Sequence, residues 1–452
     1  MFFHREKELK EINEELNGVS RKIIIYGKRR VGKTSLIKKI IENNENYLYF
    51  ECIQDNLEAN LNLFKLLLEK VMQIPSYVSF TTFQQVFEYL NNLNKKFIII
   101  FDEYPYLKKM NNSNKIDSIF QDIFDNYSSN LNFIICGSEI NMMNDLLIEG
   151  NPLFGRFTKK IYIEELNYIE ASSFYKDKTI MDKIAFYSVF GGSPYINSYI
   201  NKDESLEWNI KNLFLDEHSS VYNYADSLLI SDAINSLQAK KIISFIGNGK
   251  KRYSEIENYI DKEKTGKIAK SLKSLVNIKL LKKTYPFNKL NDDKKAYYEI
   301  NDNVLRFFYA YVSSKNSLIL TLGVNNYYDS YIKDSLNTFI SFRFEEIVRV
   351  YYSLLCKKDI LKEVKNIGTY YYDDSINKRN GEFDVVIEFK DYIKFIEVKY
   401  YKNKLTLKEM NKEVEQINSI ETKFNIKYAF ISTSGYEDST YECIDINSIY
   451  NI

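Results

Sequence analysis

The stretch Lys22-Ile23-Ile24-Ile25-Tyr26-Gly27-Lys28-Arg29-Arg30-Val31-Gly32-Lys33-Thr34 decides the fold of the first part of this chain. It begins as a short apolar run, which predicts a buried strand, and it continues as Gly-x-x-x-x-Gly-Lys-Thr, the full pattern of a phosphate-binding loop. An amphipathic helix is predicted immediately afterwards, over residues 34–42. The loop therefore has the strand before it and the helix after it that this motif requires.

The residue types of this loop predict a nucleotide site. Glycines let backbone N–H groups fold around phosphates at the amino end of a helix. Lys33 would reach the β- and γ-phosphates, and the Thr34 hydroxyl would bind magnesium. The predicted cofactors are therefore ATP and Mg²⁺, and the residues expected to line the site are Gly27, Lys28, Arg29, Arg30, Val31, Gly32, Lys33, Thr34 and Ser35.

A nucleotide hydrolase also needs acidic side chains on a neighbouring strand. The apolar run Phe97-Ile98-Ile99-Ile100-Phe101 predicts such a strand, and Asp102-Glu103 follows it directly. Asp102 would hold Mg²⁺ through water, and Glu103 would be the catalytic residue that orients the attacking water. An acidic strand end exposed to solvent is the alternative interpretation.

Two further polar residues are candidates for the same site. A third apolar strand ends in Gly137-Ser138, so Ser138 is expected to sense the γ-phosphate, although apolar strands often end in Gly-Ser without such a role. Arg156 is a candidate catalytic residue that neutralises transition-state charge, in its own chain or in a neighbouring one. An ordinary surface arginine fits its surroundings equally well.

Apolar strands separated by helices predict an α/β fold with a parallel sheet covered on both faces. The motifs above, with Phe3-His4-Arg5-Glu6-Lys7-Glu8-Leu9 and Gly191-Gly192-Ser193-Pro194-Tyr195, resemble the archaeal-type ATPases of the STAND branch of AAA+ P-loop ATPases. The resemblance implies a helical lid in which Pro194 packs near the adenine. It covers nearly the whole chain, because the order of the remaining segments also matches.

Charge is distributed unevenly along the chain. Residues 235–290 contain 14 Lys and Arg but 4 Asp and Glu, a net charge of +10, whereas the whole chain carries +1. The same segment predicts three helices and two short strands, the pattern of a winged helix. Its third helix groups Lys264, Lys267, Lys270 and Lys273. These lysines indicate a phosphate-binding surface for nucleic acid, expected to be DNA, or else a solvated basic face.

The last part of the chain contains a second candidate site. Strands are predicted over residues 382–389, 392–401 and 427–433, with a helix over about 406–423. Asp384 and Glu397 would share a divalent metal, and Lys399, on the same strand face as Glu397, would polarise water or phosphate. The arrangement is similar to restriction-endonuclease-like domains, whose opening helix often supplies another acid, here Glu345 more than Glu346. A fold of this type without activity is the alternative.

These patterns predict five segments. They are a P-loop ATPase core (1–165), a helical lid (166–232), a winged helix (233–312), a helical connector (313–335) and a restriction-endonuclease-like domain (336–452). The start of the chain has no apolar signal-peptide core, and no apolar run approaches the ~20 residues of a membrane span. Four scattered cysteines and two histidines nearly exclude a structural zinc site. We therefore expect a cytoplasmic protein without a membrane partner.

The leading hypothesis is an ATP-hydrolysing regulator that couples its nucleotide state to DNA, with a metal-dependent nuclease site in its last domain. One alternative is a nucleotide-controlled switch that acts through a protein partner or as a homo-oligomer. In another, the ATPase is retained and the last domain is a recognition or dimerisation module.

Overall fold

The fold is described from a computed structural model, which covers residues 4–42, 44–75, 78–109, 113–230, 237–260, 267–374, 379–419 and 424–452. The chain divides into two compact units. The first unit comprises Met1–Leu166 and Ser193–Tyr195, and the second comprises Asn167–Gly192 and Ile196–Ile452. None of the described helices combines the length and the apolar character that crossing a bilayer requires.

The first unit is built on a parallel sheet of five strands, which confirms the predicted α/β class. Its strands are β1 (Lys22–Tyr26), β2 (Tyr47–Glu51), β3 (Phe97–Asp102), β4 (Leu131–Gly137) and β5 (Lys159–Tyr162). Their spatial order is β2-β3-β4-β1-β5. β3 and β4 are buried along their whole length. Such central strands read as continuous apolar runs because helices cover both faces of the sheet.

The helices of this unit are α1 (Glu6–Leu16), α2 (Lys33–Ile41), α3 (Leu57–Met72), α4 (Phe83–Asn92), α5 (Pro105–Lys109), α6 (Ser113–Asn126) and α7 (Ile140–Asp145). One face of the sheet packs in a largely aromatic core, in which the rings of Phe64 and Phe101 stack with centroids 5.6 Å apart. The other face packs in a smaller core of mostly isoleucine and leucine, where α1 and α2 lie. β5 was not predicted because its sequence, Lys-Lys-Ile-Tyr, is that of an edge strand without an apolar run.

The second unit begins with short helices, which fits the strand-poor pattern of that stretch. They are α8 (Tyr168–Ala171), α9 (Ile180–Phe190), α10 (Pro194–Asn197), α11 (Leu206–Phe214) and α12 (Ser220–Ile230), with a 3-10 turn at Ser172–Tyr175. The first two residues of α10 belong to the first unit.

A small helix-and-hairpin module, residues 237–300, follows. Its elements are α13 (Leu237–Ile246), β6 (Lys251–Arg252), α14 (Tyr253–Ile260), α15 (Lys267–Asn277), β7 (Leu281–Thr284) and β8 (Tyr297–Ile300), with a 3-10 turn at Phe287–Lys289. The strands form an antiparallel sheet in the order β6-β8-β7. On α15, Ile268, Leu272 and Leu275 are buried, whereas Lys270 and Lys273 are exposed. Lys264 lies outside the described residues.

The rest of the chain consists of helices and a mixed sheet. In chain order the elements are α16 (Asn303–Tyr311), α17 (Asn316–Leu322), α18 (Val324–Tyr331), α19 (Lys333–Lys357), β9 (Val364–Asp374), β10 (Arg379–Phe389), β11 (Tyr392–Lys399), α20 (Leu407–Asn418), β12 (Asn425–Ser432) and β13 (Glu442–Ile444), then a 3-10 turn at Ile446–Ile449. The strand order is β13-β12-β11-β10-β9. β9, β10 and β11 pair antiparallel, whereas β11, β12 and β13 pair parallel.

Two strands of this mixed sheet, β9 and β13, were not predicted. Both are edge strands, and each mixes polar and apolar residues without a clear period. β10 deviates from regular pairing between Phe383 and Val386, where the register against β9 shifts. Such bulges re-aim side chains, and this one begins beside Asp384.

Candidate functional sites

The phosphate loop has the backbone that its glycines permit. Gly32, at the start of α2, has φ +96°, a conformation that residues with a side chain rarely adopt. At Gly27 a Cβ atom would lie 2.4 Å from the carbonyl oxygen of Ile163, so a larger residue does not fit. The sequence therefore carries glycine at the two positions where the loop requires it.

Lys33 lies inside this loop. Its side chain is buried, and its Nζ donates hydrogen bonds to the carbonyl oxygens of Gly27 (3.0 Å) and Lys28 (2.7 Å). Burial lowers the pKa of Lys33, although Glu103 and Asp102 act in the opposite direction. The ammonium is therefore held where phosphate oxygens would replace the carbonyl groups as its partners.

The other residues of the predicted loop differ in exposure. Arg29, Thr34 and Ser35 are exposed, Lys28 pairs with Glu165 at 2.8 Å, and Val31 is buried. The buried Arg5 donates to the Val31 carbonyl at 3.2 Å, so α1 is anchored to the underside of the loop. Arg5 therefore holds the backbone of the phosphate loop in place, a role that the sequence pattern alone did not reveal.

Asp102 lies beside the phosphate loop, next to Thr34. Its Oδ2 accepts hydrogen bonds from the Thr34 hydroxyl (3.0 Å) and from the Tyr49 phenol (2.8 Å). Burial, with the Asp102 carboxylate, raises the pKa of Tyr49, so the phenol remains a donor. Thr34 and Asp102 thus converge on one point, and the donor set fits a divalent cation that carries water.

Glu103 and Ser138 also meet. Because β4 lies between β1 and β3, Ser138 at its end stands between the phosphate loop and the acidic pair. Ser138 donates to Glu103 Oε2 from its hydroxyl at 2.9 Å and from its backbone N–H at 3.2 Å. Glu103 has φ +51°, a left-handed backbone that is uncommon for a residue with a side chain and often occurs at functional sites.

Residues 193–195 lie on the phosphate loop. The Arg30 guanidinium stacks 3.6 Å from the centre of the Tyr195 ring, and the Ser193 hydroxyl lies 3.5 Å from the Arg30 carbonyl oxygen. Pro194 lies between these two contacts. This part of the predicted lid therefore contacts the phosphate loop through Ser193 and Tyr195, the two neighbours of Pro194 in sequence.

Arg156 lies elsewhere. Its Nε and Nη2 bind the two oxygens of Asp125 at 2.9 and 2.8 Å, and these hydrogen bonds lower the pKa of Asp125, with Lys22 contributing. Lys22 opens β1, whereas Gly27 follows the other end of that strand. Arg156 is thus held in an ion pair with Asp125 at the end of β1 opposite the phosphate loop, and its catalytic role, in its own chain or in a neighbouring one, is not tested by these contacts and stays a prediction.

The second site lies in the mixed sheet, on β10, β11 and the long helix α19. Glu397 and Lys399 are ion-paired on one face of β11, as their spacing predicts. Lys399 also pairs with Glu413 of α20 at 3.1 Å. Burial raises the pKa of Glu397, and Glu413 and Asp384 add to this. Glu413 was missed in the sequence because a helical glutamate carries no local signal.

Glu345 and Glu346 have different surroundings. Burial raises the pKa of Glu345 to about 8, and the nearby carboxylates of Asp384 and Glu397 contribute. Glu346 instead pairs with Arg306 at 2.8 Å and with Lys282. Burial would raise the pKa of Glu346, but these cations reverse the effect and hold it well below the ordinary value. Of the two residues, it is Glu345 whose pKa the carboxylates of Asp384 and Glu397 help to raise, and its role as a metal ligand stays a prediction.

A lysine that the sequence did not single out also reaches this site. Lys250, just before β6, places its Nζ 3.3 Å from Glu382 Oε2 and 3.5 Å from Asp384 Oδ1. Its charge also acts on Glu345. Among the described side chains, no three His, Cys, Asp or Glu residues are arranged so that they hold a metal ion. The predicted ligands Glu345, Asp384 and Glu397 are close enough to influence one another but are partly paired with lysines.

Comparison with known proteins agrees with the first site. Residues 2–197 match a model of an ATPase domain found predominantly in Archaea, and residues 308–420 match a model described as "Archaea bacterial proteins of unknown function". An uncharacterised protein of Methanocaldococcus jannaschii is 30% identical over 409 residues, 88% of each chain. An uncharacterised ATP-binding protein of the same organism is 48% identical over 46 residues, 10% of this chain and 78% of that protein.

Among solved structures, the fold is similar to the Walker-type ATPase of Pyrococcus abyssi. The TM-score is 0.50 at 18% identity, and the match covers 68% of this chain and 96% of the other. At that identity the likeness concerns the fold alone. The extent of the full-length relative and the matched ATPase domain show that this chain belongs to the archaeal-type ATPase family, with a nucleotide-binding P-loop ATPase domain in its first unit.

Proposed function

We propose that this ATPase uses Mg²⁺, that its helix-and-hairpin module is a winged helix that binds DNA, and that its mixed sheet carries a metal-dependent nuclease site. Hydrolysis in the first unit would then control DNA engagement in the second. The magnesium assignment is supported by the hydrogen bond between Thr34 and Asp102, which brings two expected magnesium-site residues together. Glu103, which accepts a hydrogen bond from Ser138, would then orient the attacking water.

DNA binding is supported by the module's topology and charge. Its element order, α-β-α-α-β-β, with the sheet order β6-β8-β7, is that of winged helices. On α15, Lys270 and Lys273 are exposed, whereas the apolar residues of the same helix are buried. Such lysines bind phosphates and are insensitive to base sequence.

Replacing Lys270 and Lys273 with glutamate should weaken DNA binding to the same extent for unrelated sequences. Each lost phosphate contact should reduce the slope of log affinity against log salt by about 0.9. Fluorescence anisotropy over a salt series measures both effects. The matched control is Lys7→Glu with Lys10→Glu, two exposed lysines of α1 with the same spacing of three residues. Equal affinity in wild type and the α15 variant would place any DNA contact elsewhere.

The nuclease proposal rests on the surroundings of Asp384 and Glu397. The proposal is supported by the order α19-β9-β10-β11-α20-β12, which is that of restriction-endonuclease-like domains, and in it Glu345, Asp384, Glu397 and Lys399 would form the acidic site. A bound divalent ion would lower the pKa of water and stabilise charge on the leaving group. This chain's carboxylates would hold the ion, and Lys399 would orient the phosphate.

In this proposal, Asp384→Asn and Glu397→Gln should each reduce DNA nicking in Mn²⁺ by at least about 100-fold, since metal binding by the site is lost. Conversion of supercoiled plasmid to open circles measures this reaction. Glu415→Gln, an exposed residue of α20, is the control. If wild type does not nick DNA in Mg²⁺ or Mn²⁺, with or without ATP, the domain has no nuclease activity.

A second candidate function is a nucleotide-controlled switch in which the mixed-sheet domain only binds a partner. The pairing of Asp384 with Lys250 and of Glu397 with Lys399 favours it, because paired carboxylates need no metal. Plasmid nicking by wild type excludes this alternative.

A further inference from the structure

The acidic site of the mixed sheet receives a positive charge from a different part of the second unit. Lys250 lies in the turn between α13 and β6 of the helix-and-hairpin module, whereas Glu382 and Asp384 lie on β10. More than 130 residues separate them in sequence, yet the ammonium lies within 3.5 Å of both carboxylates. The side chain of Lys250 is 42% exposed, and its ammonium also lies 5.0 Å from the centre of the Tyr297 ring.

The module is fastened to the mixed sheet by contacts that keep Lys250 in place. Phe287, in the loop between β7 and β8, packs in the same apolar core as Phe383 and Phe395. The Asn288 side chain exchanges two hydrogen bonds with the backbone of Tyr371, at 2.7 and 2.9 Å. This loop therefore acts as an anchor on the sheet.

Ion pairs make a second attachment. Lys282 of β7 and Arg306 of α16 both bind Glu346 of α19, and they also bind Glu299 of β8, at 3.2 and 3.1 Å. Glu346 immediately follows Glu345, whose pKa the carboxylates of the acidic site help to raise. Both attachments involve β7, β8 or the loop between them, and β6, which directly follows Lys250, pairs with β8.

The charges around Lys250 also explain why it is there. Five carboxylates, those of Glu345, Glu382, Asp384, Glu397 and Glu413, act on one another or on the same lysines in this site. Three basic groups oppose them: Lys250, Lys399 and Arg349, whose guanidinium donates to the Asp384 carbonyl oxygen. Carboxylates gathered in a partly buried site repel one another unless cations neutralise them.

From this geometry we infer that Lys250 is an internal counter-ion of the acidic site, bound where a divalent cation would bind Asp384, so that the metal must displace it. The inference rests on the metal site proposed above and adds its regulation. In the structure described here the Lys250 ammonium lies against the carboxylates of Glu382 and Asp384. The free Asp384 carboxylate becomes available only when Lys250 withdraws.

The experiment is Mn²⁺ binding to the full chain without nucleotide, measured by electron paramagnetic resonance, with an Asp384→Asn variant to define binding at this site. Lys250→Met should bind Mn²⁺ about tenfold more tightly than wild type, because a competing charge has been removed. Lys250→Arg retains the charge and should behave as wild type. Lys251→Met is the neighbouring control, since its ammonium lies over the Phe245 ring, 5.3 Å from the centre.

The outcomes separate this inference from the proposed nuclease function. Tighter binding in Lys250→Met that disappears when Asp384→Asn is added supports it. Asp384-dependent binding that is equal or weaker in Lys250→Met overturns the inference and leaves the metal site intact. Absence of Asp384-dependent binding in every variant, Lys250→Met included, overturns both the metal site and the role of Lys250.

Discussion

Substitution of Lys33 with methionine should abolish ATP binding at micromolar nucleotide, with a dissociation constant raised on the order of 100-fold or more. Charge-assisted hydrogen bonds contribute about 1.5–3 kcal/mol each, and Lys33 is placed to make such bonds to two phosphates. Methionine retains most of the side-chain volume in this buried position but has no charge. Titration with a fluorescent ATP analogue measures the change.

The matched control for this variant is Lys38→Met, an exposed lysine of the same helix. It should bind nucleotide as wild type does, because its ammonium points into solvent. Thermal unfolding of both variants shows whether the phosphate-loop domain remains folded. Tight ATP binding by a folded Lys33→Met protein would remove the phosphate loop from the nucleotide site.

Substitution of Glu103 with glutamine should have the second largest effect, on turnover and not on binding. We expect the rate of ATP hydrolysis to fall on the order of 100-fold to 1,000-fold, which is the usual contribution of a positioned general base. The glutamine oxygen can still accept the Ser138 hydrogen bonds, so the local geometry should be retained. Single-turnover hydrolysis with excess enzyme separates this chemical step from product release.

Glu51→Gln is the control for Glu103. Glu51 is exposed and ends β2, where it lies opposite Asp102 in the register of the neighbouring strand. The Glu51→Gln substitution removes a negative charge near Asp102 but leaves the hydrogen bonds between Glu103 and Ser138 in place. Equal turnover in wild type and Glu103→Gln would mean that another residue orients the water.

Together these two variants separate binding from chemistry in the ATPase domain. The Glu103→Gln variant retains Lys33 and should bind ATP without hydrolysing it, so it should remain trapped in the ATP-bound form. That trapped form is the state in which DNA affinity, nicking and Mn²⁺ binding should then be compared with those of the nucleotide-free chain. A difference between them would measure the coupling that the proposed function requires.

Local sequence was enough for the first site because its chemistry is local. The loop from Gly27 to Thr34 combines a backbone shape, a helix start and two side chains within one short stretch, so the pattern carries its own structural context. The apolar runs of β1, β3 and β4 are equally direct, since strands buried on both faces cannot carry alternating polar residues. The strands β5 and β9 escape this reasoning because their sequences mix polar and apolar residues and contain no continuous apolar run.

Only the tertiary structure decided which distant residues meet. The insertion of β4 between β1 and β3 brings Ser138 to Glu103, and Asp125 holds Arg156 away from the phosphate loop. In the mixed sheet, the adjacent residues Glu345 and Glu346 have different surroundings, which depend on segments far away in the sequence. Strand order and ion-pair choice depend on packing between segments far apart in the chain, and a short sequence pattern reports only the burial and backbone shape of its own residues.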